Sequence, residues 1–163
     1  MKLITHGCRG SIPISSGKMM KYGGNTTCFE LVTDEFQIFF DTGSGFQNAI
    51  LNPNKDILVL FSHFHHDHLQ GLAFNKYLLK PETKTFISSA LVNSKELNKI
   101  IRRYFSGVFF PLDLFDNLDN VTFSNFSEAQ RTMKGGLDIE AIKLNHPGAV
   151  SYTHLRAHET TDN

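Results

Sequence analysis

The sequence predicts a mixed α/β domain, and three stretches carry that prediction. Residues 56–61, Asp-Ile-Leu-Val-Leu-Phe, form a near-continuous apolar run of the kind that strands buried on both faces require. Farther on, Asn93 can cap a helix with Glu96 three residues later, Leu97, Ile100, Ile101, Tyr104 and Phe105 fall on one face, and Gly107 stops it. Between these lies His63-Phe64-His65-His66-Asp67-His68, delivered by the apolar run into a turn. No ordinary packing role asks for so many imidazoles there, so the cluster reads as a metal site.

Bulk properties bound the rest. With 163 residues, zero formal net charge and two cysteines, the chain reads as one soluble domain with enough apolar content for a core. The neutral balance argues against broad, nonspecific DNA binding, although a metal site can supply positive charge locally to a nucleotide or RNA. Cys8 and Cys28 are too few for a disulfide framework and read as small buried residues. The opening residues lack the apolar run of a signal peptide, and no stretch approaches membrane-spanning length, so the expected location is the cytoplasm.

In order, residues 2–5 form a first strand that runs into the glycine loop 7–13. A second glycine turn at Gly23-Gly24 feeds another strand through Leu31. Residues 36–40 form a strand ending in Asp41 and a glycine turn, and residues 46–51 a short helix before Pro53. The strand 56–61 follows, then a strand at 84–89 and the capped helix, with Arg102 and Arg103 near its end as cations favoured by the helix dipole, read as a solvated face with contact to a phosphate as the alternative. Residues 121–126 and 138–144 alternate as two strands across a turn at Gly135-Gly136, and the second leads to Asn145-His146-Pro147.

The spacing within the histidine cluster sorts its members. On an extended segment His63 and His65 point the same way and can converge on one ion, while Phe64 turns into the core. Asp67 and His68 follow where the turn enters a helix, so they can reach a second ion beside the first. Ions about 3.5–4 Å apart would share a water or hydroxide.

This His-x-His-x-Asp-His pattern resembles the metal motif of the metallo-β-lactamase superfamily, hydrolases with an αββα sandwich. The openings Gly7-x-x-Gly10-Ser11-x-Pro13 and Gly23-Gly24-Asn25-Thr26-x-Cys28 resemble the ribonuclease Z and phosphonate-operon phosphodiesterase branch. Leu72-Ala73-Phe74 resembles that branch's Gly-Leu-Pro-Phe region, with alanine where proline is usual, and residues 105–112 resemble its aromatic-Phe-Pro segment, which helps line a substrate cleft. The resemblance implies that His63, His65 and His146 hold one ion, that Asp67 and His68 hold the other, and that Asp41 orients the site through hydrogen bonds from beneath. It implies two divalent ions, with zinc suited to the nitrogen donors and manganese to the carboxylates. The implied activity is hydrolysis of RNA or nucleotide phosphodiesters by a hydroxide shared between the ions, with Asp67 also bonding the nucleophile. A homodimer and no membrane partner complete the expectation. Thioester, lactone or β-lactam hydrolysis is the alternative for the same fold.

Residues 149–160 look like the translation of a transposon-end adaptor used in DNA library preparation. On that reading residues 1–148 are the N-terminal part of a metallo-β-lactamase-like domain, 149–163 are a non-native tail, and His154 and His158 are set aside as ligands. The sandwich is then expected to be incomplete at its C-terminus, without the family's bridging aspartate and further histidine. An inactive metal-binding fragment is the alternative reading of the chain as given.

Overall fold

The computed structural model describes residues 1–111, 113–132, 137–145 and 150–157. Six strands form one sheet in sequential order: β1 Lys2–Gly7, β2 Cys28–Val32, β3 Phe36–Phe40, β4 Asp56–Phe61, β5 Thr85–Ser89 and β6 Val121–Phe123. β1, β2 and β3 pair antiparallel, whereas β3 to β6 run parallel. Helix α1 spans His66–Leu69, α2 Ser94–Tyr104 and α3 Phe126–Thr132. A second, two-stranded sheet pairs β7 Leu137–Leu144 antiparallel with β8 Val150–Ala157, in register from Leu137 opposite Ala157 to Leu144 opposite Val150.

The apolar run of β4 explains the layering. Ile57, Val59 and Phe61 point to one face, where they meet Leu97 and Ile101 of α2 in one buried cluster. Leu58 and Leu60 point to the other and meet Ala129 of α3 and Ile139 of β7. The strand therefore has no polar face to show water, and its composition is what a central strand covered on both sides demands. Helix α2 begins as the sequence suggests, with the Asn93 side chain accepting the Glu96 N–H at 3.0 Å. Among the described residues no helix is long and apolar enough to cross a membrane.

Three local expectations are corrected. Residues 121–126 and 138–144 do not form a hairpin: β6 ends at Phe123, joins the large sheet parallel to β5, and is followed by α3. Glu128 reaches back to the Asn125 N–H at 2.8 Å, half of a capping box that starts this helix, and Ala129 seats it in the second core. The short helix expected at 46–51 is a 3-10 turn at Ser44–Asn48. Cys8 is exposed rather than buried, while Cys28 lies in the core, where burial and the nearby Asp41 and Glu30 raise its thiol pKa well above the ordinary range.

Candidate metal centre

The site lies just beyond the C-terminal ends of the parallel strands β3 and β4, the place where open α/β sheets gather their ligands. β4 stops at Phe61, so His63 and His65 stand in a loop rather than on the strand itself. Partly buried Phe64 packs against the main core, which turns its two flanking histidines away from it. α1 then folds back onto the end of β3: the Thr42 N–H donates to His68 O and the Gly71 N–H to Thr42 O, both at 2.8 Å. Only glycines allow this crossing. A Cβ on Gly71 would stand 2.1 Å from Gly43 O, and one on Gly43 would stand 2.4 Å from Asp67 O.

The clamp brings three imidazoles together, with His63 at 4.4 Å from His65 and 4.0 Å from His68 between ring centroids. Buried Asp41 lies beneath them in a left-handed conformation, φ 60°, that a non-glycine residue adopts at a cost. Its Oδ1 accepts the Ser62 N–H at 2.8 Å, and its Oδ2 accepts the Ser62 hydroxyl and pairs with His68 Nδ1, both at 2.7 Å. Ser62 Oγ also lies 3.0 Å from His63 Nδ1. With both Nδ1 atoms engaged, the nitrogen that each of His63 and His68 can offer a metal is Nε2. Asp41, His63 and His68 have potential ligand atoms within 4.8 Å of one another. Because the Asp41 oxygens already accept three hydrogen bonds, Asp41 suits the orienting role better than a place among the ligands.

The donors fit a divalent ion. His68 Nε2 stands 3.6 Å from Asp67 Oδ2, too far for a hydrogen bond but close to the ~3.4 Å that separates two ligands about 2.1 Å from one tetrahedral zinc. Burial works to raise the Asp67 carboxyl pKa, yet the Ser11 N–H bond and the charges of His68 and His63 outweigh it and hold the group below its ordinary value. Burial likewise works to lower the His68 pKa, but the bond to Asp41 and the charges of Asp41 and Asp67 raise it. His66 leaves this cluster and meets the Tyr104 hydroxyl of α2. His146, expected as the third ligand of the first ion, lies outside the described residues.

Beside the loop opens a cleft of about 940 Å³, with Phe64 and His66 on one wall and Phe74, Arg103, Tyr104 and Phe109 among its other linings. Phe74 is 62% exposed and Phe109 70%. Arg102 is tied to Asp116, Asn98 and the Phe115 carbonyl, whereas neighbouring Arg103 has no carboxylate partner among the described residues. Sequence reasoning passed over Ser62 and the Ser11 amide. Ser62 adjoins the histidine run and could have been flagged by position, but the amide's role depends on a loop crossing that no spacing reveals.

Two of the solved structures that match the chain have TM-scores above 0.6. One is the metallo-β-lactamase fold protein YhfI from Bacillus subtilis, at 18% identity and TM-score 0.62, covering 94% of this chain and 56% of that one. The other is the short form of human tRNase Z, at 15% identity and TM-score 0.65, covering 98% of this chain and 66% of that one. No family model matches the chain, and no curated protein matches it in sequence. The chain has the metallo-β-lactamase fold, and it spans between half and two thirds of the length of these two structures.

Proposed function

We propose that the protein is a metal-dependent hydrolase of phosphodiesters, with RNA or nucleotide diesters as its substrates, acting in the cytoplasm. The observation that carries the reading is the convergence of His63, His65 and His68 beside Asp67, over a buried aspartate that fixes one of the rings. His63, His65, Asp67 and His68 would hold two divalent ions, zinc or manganese, with His146 as the further ligand. When bound, such ions supply Lewis-acid polarisation of the phosphoryl group and a water that loses its proton near neutral pH.

The chain's own residues do the rest. Asp41 fixes the tautomer and direction of the His68 ring, and Ser62 links Asp41 to His63, so that two ligands are oriented by one buried network. Asp67, held as a carboxylate, can accept a hydrogen bond from the attacking water and aim it. The adjoining cleft offers flat aromatic faces on which a nucleobase can stack, and Arg103 offers a cation to a neighbouring phosphate. An exposed free thiol at Cys8 suits a reducing compartment.

The test is turnover of bis-p-nitrophenyl phosphate by the full chain with added zinc or manganese. The expected result is hydrolysis that a chelator stops, that Asp67→Ala lowers at least about a hundredfold, and that exceeds turnover of nitrocefin or a thioester. Preference for nitrocefin or the thioester would contradict the phosphodiester reading, and metal-independent turnover would contradict the site.

A further inference from the structure

Among the described residues only two that are not glycine have positive φ, Asp41 at 60° and Ser11 at 72°. The strain at Asp41 belongs to the network under the histidines. Ser11 lies far away in sequence, in the loop after β1, and nothing derived so far requires its conformation. The Ile12 N–H donates to Gly10 O at 3.1 Å, closing a three-residue γ-turn with Ser11 at its centre. Positive φ makes this the rarer, strained form of the turn.

Bonds on either side hold the turn in place. The Arg9 N–H donates to Asn25 O at 3.0 Å and Arg9 Nε to Ile12 O at 2.9 Å, across the turn. The Ile14 N–H donates to Gly24 O at 2.9 Å, in a contact so close that a Cβ on Gly24 would stand 1.7 Å from Ile14 O. What this clamped loop delivers is one donor: the Ser11 N–H reaches Asp67 Oδ2 at 2.8 Å, across 56 positions of sequence. The Ser11 side chain is exposed and makes no hydrogen bond among the described residues, so the useful group is the backbone amide.

We propose that Ser11 is a positioning residue whose strained amide fixes the Asp67 carboxylate in the orientation that lets it share a divalent ion with His68. The inference rests on the reading of Asp67 as a ligand. Asp67 sits on a single-turn helix with its side chain partly buried, and beside a bond from its own amide its carboxylate has rotational freedom that only a further hydrogen bond removes. One N–H bond to Oδ2 removes that freedom and still leaves lone pairs for an ion. Both strained residues then serve the same cluster, Asp41 through His68 and Ser11 through Asp67.

Two substitutions separate the amide from the residue. Ser11→Gly keeps the N–H and tolerates positive φ, whereas Ser11→Pro has no N–H and is confined to negative φ. Zinc affinity of the full chain, read by competition with a chromophoric chelator, should hold in Ser11→Gly and weaken about ten- to a hundredfold in Ser11→Pro. In an Asp67→Ala background Ser11→Pro should cause no further loss. Independently of whether the proline variant folds, the Ser11 amide proton should exchange slowly in the metal-free chain and quickly in Asp67→Ala. Wild-type affinity in Ser11→Pro, an undiminished effect of that change without Asp67, or amide exchange indifferent to Asp67→Ala would each overturn the inference. Those results, in a chain that binds zinc, overturn it alone; a wild-type chain that binds no zinc overturns it together with the metal centre.

Discussion

Asp41 accepts hydrogen bonds on both oxygens and holds a backbone conformation that costs energy, a combination that serves orientation rather than packing. Asp41→Ala should therefore weaken zinc binding about ten- to a hundredfold, measurable by chelator competition, because the His68 ring loses the partner that sets its direction. Unchanged affinity would mean that α1 alone orients the ring. At Gly71 the limit is steric: a methyl group there meets the Gly43 carbonyl, so Gly71→Ala should destabilise by about 1–3 kcal/mol in urea unfolding and should also disturb the seat of α1. The titrating pair gives a signature in the metal-free chain. His68 has a raised pKa, so its stabilising contribution is complete below about pH 6.5 and is lost as pH rises through the raised value. Asp67 has a lowered pKa, so its contribution is present above the ordinary carboxyl value and is lost as pH falls through the lowered one. Urea midpoints followed in a chelator from about pH 5 to about pH 9 should fall on the alkaline side, and His68→Asn should remove that fall. Zinc must displace the same His68 proton, so zinc affinity should climb over the same alkaline range.

Among the elements, β3 and β4 were legible to the residue: β4 is an apolar run after Asp56, and β3 is apolar except for Gln37 and is followed by Asp41 and a glycine turn. Helix α2 was legible from its cap and its stripe. α3 was not, since Val121 and Phe123 read as a strand running into it and the helical signal is confined to Asn125 and Glu128. Asn125 also explains why that helix matters to its neighbour. Its side chain accepts the Ser94 N–H at 2.9 Å, so it ties the start of α2 to the start of α3. Asn125→Ala should cost about 1 kcal/mol of stability, the usual worth of a capping interaction, with little effect on zinc binding. A loss of zinc affinity without loss of stability would place Asn125 in the site and contradict this division. The closeness of the His63 and His65 rings was legible from their spacing. The bonds from Ser62 and Ser11 were not, because each depends on where a strained backbone carries a donor across the fold.

For the whole molecule, the sheet separates two tasks. One face carries α2 and the larger core, and the other meets α3 and β7, while the metal loop stands at the strand ends with both cores behind it. Rigid support of this kind matters because ligands that drift by about 1 Å lose most of their joint effect. We propose that His63, His65, Asp67 and His68, with Asp41 orienting them, hold a metal. Zinc bound per chain at equilibrium, measured by elemental analysis after dialysis, tests it most directly when the wild type is set beside the double variant His63→Ala/His68→Ala. Stoichiometric zinc is expected in the wild type and its loss in the variant; zinc retained by a folded double variant would overturn the metal centre.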